Sequence, residues 1–185
     1  MKSYRILSIA LAIFILDQGT KWIVKQYMQL HESIPVLGDF FRLTYVENRG
    51  LAFGISISNH VFFTVFAVLA SMVILVYLFK LKGDQAWPRF AMTIIFGGAI
   101  GNLFDRIFHG QVADFLDFEF FDITIPAFRI LFISFPGYAL DRWPVFNVAD
   151  IAVTTGMIML LIYILFLENS HLEESTIPSD SEMIR

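Results

Sequence analysis

The chain has 185 residues, of which 57% are hydrophobic and 16% charged, with a net charge of −4 and no cysteine. Its mean hydropathy of +0.67 is too high for an ordinary soluble domain. The lack of cysteine excludes thiol catalysis, disulfides and cysteine-ligated metals, and the lack of a basic block argues against nucleic acid as a partner.

Four apolar runs account for the high hydropathy. In chain order they cover about 6–24, 60–79, 90–108 and 146–167. Each is close to the roughly 20 residues that a helix needs to cross a bilayer. The sequence therefore predicts an all-α membrane protein with four transmembrane helices in one domain, 1–167, followed by a polar cytoplasmic tail, 168–185.

The distribution of basic residues predicts the orientation of these helices. Lys2 and Arg5 precede the first run as in a signal peptide, but no small-residue cleavage site follows, so we expect this run to stay as a membrane helix. The short loop between the second and third runs contains Lys80, Lys82 and Arg89. Positive residues in short loops favour the cytoplasm, so we expect both termini inside and the loops 25–59 and 109–145 outside.

Both outer loops contain residue types that favour β-strands. The stretch "FFRLTYVENRG", 40–50, alternates apolar and polar residues in part, which predicts a short strand. The segment 118–144 is rich in phenylalanine and interrupted by Pro126. We expect either a small extracytoplasmic sheet or a flap on the membrane surface there, and periodicity alone does not distinguish the two.

Polar side chains occur near the outer ends of the apolar runs, where an unpaired ionisable group would be costly. They are Asp17, Asn102, Arg106, Asp114, Asn147 and Asp150. Under the predicted topology they all reach the same membrane boundary. Plainer interpretations exist for some of them. Asp17 could pair with Lys21 along the first helix, and Asn147 could cap the fourth. Arg106 could be an interfacial anchor.

Asp150 is harder to explain in a plain way, because its neighbours in "VFNVADIAVTTGMIML" are nearly all apolar. Two aspartates at one membrane edge suit an aspartyl protease. Close carboxylates share a proton, so that the ionised one activates water and the protonated one polarises the scissile carbonyl. Gly97, Gly98 and Gly101 are expected to let the third helix approach a neighbour closely.

Five motifs occur in order at matching places relative to the four spans. They are "DQGTK" (17–21), "ENRGLAFG" (47–54), "GGAIGNLFDR" (97–106), "GQVADFLDF" (110–118) and "FNVADIAVTTG" (146–156). Together they resemble the motifs of the bacterial lipoprotein signal peptidases, also called type II signal peptidases. The resemblance covers most of the chain up to Leu167.

The resemblance implies an aspartyl endopeptidase of the bacterial inner membrane, which removes the signal peptide from prolipoproteins just before a cysteine carrying diacylglycerol. It implies that Asp114 and Asp150 are the catalytic dyad. The positions that shape the site and hold substrate would be Asn48, Asn102, Arg106 and Asn147. The supporting positions would be Asp17, Lys21 and Gly50.

The same resemblance implies a small extracytoplasmic β-cradle, contact with membrane lipid, and inhibition by the cyclic peptide globomycin. We expect no cofactor and no metal, because two carboxylates suffice for the chemistry, and we expect a monomer. The segment 117–144 is longer than this family leads one to expect. It departs from the family pattern without disturbing either aspartate motif.

Two other functions stay open from the residues alone. In a metal-dependent phosphotransferase, Asp114 and Asp117 would ligate Mg²⁺ at helical spacing, and a chelator would abolish activity. In a small transporter, Asp17 and Asp150 would form a proton or ion path. The interior of the second apolar run has no acid or base, which argues against a continuous path.

Overall fold

The computed structural model describes residues 3–49, 60–80, 85–120, 123–131 and 133–167. The helices in this part are α1 Ser3–Tyr27, α2 His60–Lys80, α3 Ala86–His109 and α4 Val148–Ile162, which continues into a π-helical turn, Tyr163–Leu167. The strands are β1 Ser33–Leu37, β2 Phe41–Asn48, β3 Val112–Phe118, β4 Ile123–Ile125, β5 Phe128–Ile130, β6 Ile133–Phe135 and β7 Tyr138–Leu140. Gly50 and the predicted tail, 168–185, lie outside the described residues.

Three helical segments of the described chain are long and apolar enough to cross a membrane. They are Tyr4–Tyr27, Ala86–His109 and Val148–Phe166. The second predicted span coincides with α2, a helix of 21 residues whose described apolar segment is Thr64–Lys80. The structure therefore confirms three of the four predicted helices as membrane-length segments.

The helices end at residues that the apolar runs did not mark. The third helix begins at Ala86, before the predicted run, and Pro88 is accommodated because it lies in the first turn. It stops at Gly110, whose φ of 74° is the left-handed conformation that commonly terminates helices. The fourth helix begins at Val148 because Asn147 is its N-cap. These ends fix where the polar residues beside them are placed.

The third helix is central and contacts the other three. A Cβ atom on Gly97 would lie 3.0 Å from the Ala10 carbonyl oxygen of α1, and one on Gly98 would overlap the Ala149 carbonyl oxygen of α4. The prediction that these glycines permit close helix approach is confirmed. Since α1 and α4 both pack against this glycine-rich segment, their polar residues are brought to the same end of α3.

A three-stranded antiparallel sheet in the order β1-β2-β3 lies at that end. The central strand, β2, confirms the strand predicted in 40–50. Its register pairs Val46 with Asp114 on β3. Buried Tyr45, Ala113 and Phe115 pack with Val24 of α1, so a small apolar core joins the sheet to the helices.

The phenylalanine-rich segment forms one long β-hairpin. The pairs β4–β7 and β5–β6 share a single register, from Ile123 opposite Leu140 to Ile130 opposite Ile133. The ladder is interrupted around Pro126, because proline has no N–H to donate. The strands expected of a small sheet are therefore present in this segment.

Candidate active site

Asp114 is held on a buried strand by two amide donors. Only 2% of its surface is exposed. Asn48, from the end of β2, donates its Nδ2–H to Asp114 Oδ2 at 3.1 Å, and Asn147 donates its Nδ2–H to Oδ1 at 2.6 Å. Both carboxylate oxygens are therefore fixed by side chains from different elements.

Asp150 is fixed by the start of α4. Asn147 Oδ1 accepts from the Asp150 N–H at 3.0 Å, while Asp150 Oδ2 accepts from the Asn147 N–H at 3.1 Å, which completes a capping box. The other oxygen, Oδ1, accepts from Asn102 Nδ2 at 2.8 Å. The capping interpretation of Asn147 is confirmed, and the same side chain also contacts Asp114.

Asn102 links the two aspartates to a buried lysine. Its Oδ1 accepts from Asn147 Nδ2 at 3.1 Å and from Lys21 Nζ at 2.9 Å. An ammonium group has no acceptor, so the amide oxygen must face Lys21. The amide NH₂ of Asn102 is consequently turned towards Asp150, where it donates.

Lys21 lies between two buried carboxylates and is itself only 1% exposed. Its Nζ is 2.8 Å from Asp17 Oδ2 and 2.8 Å from Asp105 Oδ2. Asp17 Oδ1 also accepts from the Ala149 N–H of α4 at 3.0 Å. The predicted Asp17–Lys21 pair is confirmed, and this buried ion cluster of Asp17, Lys21 and Asp105 joins α1, α3 and α4 beside the two site aspartates.

Sequence reasoning did not include Asp105 in the site. The residue is fully buried and lies three positions after Asn102 in α3, so the two share a helix face. That spacing was the available signal. A second signal was the number of donors, because a buried lysine ammonium has three N–H groups and a single acidic neighbour does not satisfy them all.

A cavity of about 660 Å³ opens beside Asp150 between α2, α3 and α4. Its polar end is formed by Asn48, Asn102, Arg106 and Asp150. The remaining lining is apolar or small and includes Phe66, Ala67, Ala70, Ser71, Ile74, Ile95, Ala99, Val153 and Met157. A smaller cavity, about 290 Å³, reaches Asp150 from the side of Trp143 and Phe146. Asp150 is therefore accessible from two directions.

Arg106 is partly buried and lines the larger cavity. Its Nη1 lies 3.5 Å from the Asn102 carbonyl oxygen, and its positive charge acts on both Asp114 and Asp150. It is more than an interfacial anchor, because it supplies a cation at the polar end of the cavity. The guanidinium group of Arg106 is placed to donate a hydrogen bond to a backbone carbonyl in that cavity.

Electrostatics place a proton on this group of residues near neutral pH. Burial, and then the negative charge of Asp150, raise the pKa of Asp114 to about 7. The hydrogen bonds from Asn48 and Asn147 and the charge of Lys21 act in the opposite direction. Because the carboxylates interact, they titrate as a pair, and the pair can act as an acid and a base at the same pH.

Asp117 does not belong to the group. It follows Asp114 by three residues on a strand, so the two side chains point to opposite faces of the sheet. Thr44 Oγ1 donates to Asp117 at 2.6 Å and Arg142 Nε at 2.8 Å. The helical spacing assumed for a shared metal is wrong, and within the described ranges no three His, Asp or Glu side chains are grouped to hold a metal ion.

The structure brings together eight of the nine residues predicted for the site. They are Asp17, Lys21, Asn48, Asn102, Arg106, Asp114, Asn147 and Asp150. The ninth, Gly50, lies outside the described residues. Hydrogen bonds connect this set across α1, β2, α3, β3 and α4, which is the convergence that the topology predicted.

Comparison with known proteins gives a consistent result. A family model described as signal peptidase (SPase) II matches residues 9–166. The lipoprotein signal peptidase of Halothermothrix orenii is 37% identical over 156 residues, covering 84% of this chain and 92% of the relative. That of Brevibacillus brevis is 38% identical over 154 residues, covering 83% and 90%. A solved bacterial membrane enzyme superposes with a TM-score of 0.68 at 26% identity, covering 96% of each chain.

Proposed function

The chain belongs to the signal peptidase II family, and we propose that Asp114 and Asp150 are the catalytic dyad of this aspartic endopeptidase. As a member of the family, the protein is an integral membrane enzyme that removes the signal peptide from prolipoproteins, cutting just before the lipid-modified cysteine. The observation that carries the dyad is the shared frame of Asn102 and Asn147, which hydrogen-bonds both carboxylates.

The dyad works with one proton between two carboxylates. The ionised carboxylate takes a proton from a water molecule as that water attacks the scissile carbonyl. The protonated carboxylate polarises the carbonyl oxygen and then gives its proton to the leaving amine. The raised pKa of Asp114, about 7, keeps a proton on the pair at neutral pH. The two donors on each carboxylate hold both in position for the reaction.

The larger cavity receives the signal peptide. Below Asp150 its walls are apolar and rich in small residues, which suits an apolar helix lying between α2, α3 and α4. Arg106 and Asn48, at the polar end, hold the substrate backbone next to the dyad. The acyl chains of the modified cysteine stay in the surrounding lipid, so binding does not require their extraction.

The proposal includes a topology for the chain. All four helices span the membrane, α2 included, and both termini are cytoplasmic. Residues 1–167 form one domain with 168–185 as its tail. The sheet and the long hairpin lie on the outer face of the bacterial inner membrane, as does the dyad. The enzyme acts as a monomer, contacts membrane lipid and is inhibited by globomycin. Support comes from the basic residues of the loop before α3.

Cleavage of a diacylglyceryl-modified prolipoprotein by purified protein in detergent tests the proposal. The variants are Asp114→Asn and Asp150→Asn, with Asp39→Asn as a control, because the Asp39 carboxylate is exposed on the turn before β2. We expect wild type and the control to cut with or without EDTA, and both dyad variants to be folded and inactive. Loss of wild-type activity in EDTA, or normal cleavage by either dyad variant, contradicts the proposal.

A further inference from the structure

The long hairpin, Ile123 to Leu140, carries almost no charge. Between its ends the sequence contains one charged residue, Arg129. Large apolar side chains of the hairpin are open to the surroundings, with Leu131 82%, Ile130 56% and Phe128 45% exposed. An exposed apolar surface of this kind marks a contact with a partner or a membrane.

The outer half of the hairpin has two different faces. The cross-strand pairs Phe128–Phe135 and Ile130–Ile133 alternate with the pair Arg129–Ser134. Since alternate residues of a strand point to opposite faces, one face is apolar and the other holds the cation and the hydroxyl. The Phe128 and Phe135 rings stack at 4.7 Å, so the apolar face is continuous across the two strands.

The base of the hairpin is firmly attached to the sheet. Arg142 Nε lies 2.8 Å from Asp117 Oδ1, and Arg142 Nη1 donates to the Asp39 carbonyl oxygen at 2.9 Å. The Trp143 N–H donates to the Phe118 carbonyl oxygen at 2.9 Å. The charged groups are thus gathered at the base, and the part that projects beyond them is apolar.

The base also lies at the membrane boundary. The membrane-length segment of α4 begins at Val148, a few residues after Trp143. The Trp143 and Phe120 rings contact each other edge-to-face at 6.3 Å and are both largely exposed. Exposed aromatic rings at the end of a span are typical of the lipid–water interface. Trp143 also lines a cavity together with Ile151 and Thr155, so the base of the hairpin lies beside α4.

Backbone hydrogen bonding limits how deeply the hairpin can enter the bilayer. An isolated two-stranded hairpin leaves N–H and C=O groups unpaired along both edges, and such groups are not tolerated in the hydrocarbon core. At about 3.3 Å per residue a strand from Ile123 to Leu131 reaches roughly 30 Å, which is long enough to lie along the surface. The edges can then stay among head groups while one face rests on the acyl chains.

We propose that the hairpin is a membrane-surface anchor, which lies in the outer lipid–water interface with the Phe128, Ile130 and Phe135 face towards the acyl chains and Arg129 towards lipid head groups. This inference rests on the outward orientation given under the proposed function. The extra length of the segment 117–144 then serves to bind lipid and not to cover the dyad. The anchor holds the sheet, and with it Asp114, at a fixed height above the bilayer.

The absence of cysteine in the chain makes a direct test possible. A nitroxide attached to Ile130→Cys is the only label in the protein, and Ile130, on the apolar face, is exposed enough to tolerate it. The protein is placed in nanodiscs of phosphatidylethanolamine and phosphatidylglycerol, and collisions of the label with oxygen and with a water-soluble nickel complex are compared. Leu11→Cys, exposed on α1, is the hydrocarbon reference, and Asp39→Cys is the aqueous reference.

The expected ratio of oxygen to nickel accessibility at position 130 is several-fold above that of Asp39→Cys and below that of Leu11→Cys. Ser134→Cys, on the polar face, should give a lower ratio than Ile130→Cys. A ratio at 130 equal to the aqueous reference overturns the anchor. So does low collision with both reagents, which indicates cover by protein, or dipolar broadening, which indicates a second copy. No substrate is used, so failure here is separate from failure of the peptidase proposal.

Discussion

Replacing Lys21 by methionine is the most informative perturbation of the buried ion cluster beside the dyad. Methionine keeps most of the side-chain volume, so the change removes a charge more than it opens a cavity. It leaves the Asp17 and Asp105 carboxylates buried without their cation, since both lie 2.8 Å from Lys21 Nζ. It also removes the donor that fixes the Asn102 amide.

The size of the effect follows from burial. Removing one partner from a buried ion pair costs about 3–5 kcal/mol, because the remaining charge stays buried and unpaired. For a protein of this length, each kcal/mol changes the melting temperature by roughly 2–4 °C, which gives a decrease of about 6–20 °C. Both carboxylates lose the same cation, so the upper half of that range is expected.

The assay is thermal unfolding in detergent, followed by tryptophan fluorescence, with a second variant that separates charge from packing. The triple variant Lys21→Met, Asp17→Asn, Asp105→Asn removes all three charges while keeping similar shapes. It should recover much of the stability lost by the single variant, because no buried charge is left unpaired. A single variant as stable as wild type, or a triple variant no better than the single, refutes the reasoning.

The remaining predictions concern pH and packing. Activity should decline as pH rises through about 7, because Asp114 then loses its proton. Asn48→Ala should move this decline to higher pH, because it removes a donor that favours the ionised carboxylate. Profiles of rate against pH check both. The same raised pKa makes ionised Asp114 oppose folding, so the free energy of unfolding should decrease as pH rises from 3.8 to about 7. Gly101→Ala should cost about 1–3 kcal/mol, because its Cβ would lie 2.5 Å from Asp17 Oδ2. Gly19→Ala, with nothing within 4 Å, should be neutral or gain up to about 1 kcal/mol in the same unfolding measurement.

The convergence of the site could be predicted from sequence because it depends on helix ends. Asn102 and Asn147 each lie towards one end of an apolar run, and the predicted topology put those ends on one side of the membrane. The structure adds how they meet, through amides that bridge Asp114 and Asp150. The direction of each amide could not be read from sequence, since it depends on which neighbour is a pure donor.

Other features depend on contacts between distant parts of the chain. The partnership of Asp105 with Lys21 requires the rotational setting of α1 against α3, which close packing at the glycines of α3 determines. The spacing of Asp114 and Asp117 reads as helical until the segment is known to be a strand. The hairpin was ambiguous for the same reason, because short apolar runs are compatible with either conformation.

The central claim is that Asp114 and Asp150 act as one catalytic unit. Single-turnover cleavage of a diacylglyceryl-modified prolipoprotein by Asp114→Asn, Asp150→Asn and the double variant, each shown to be folded by its melting temperature, tests it most directly. Groups that act together are strongly non-additive, so each single variant should lose nearly all activity and the double variant should lose no more. Rate losses that multiply in the double variant, or wild-type cleavage by either single variant, contradict the account.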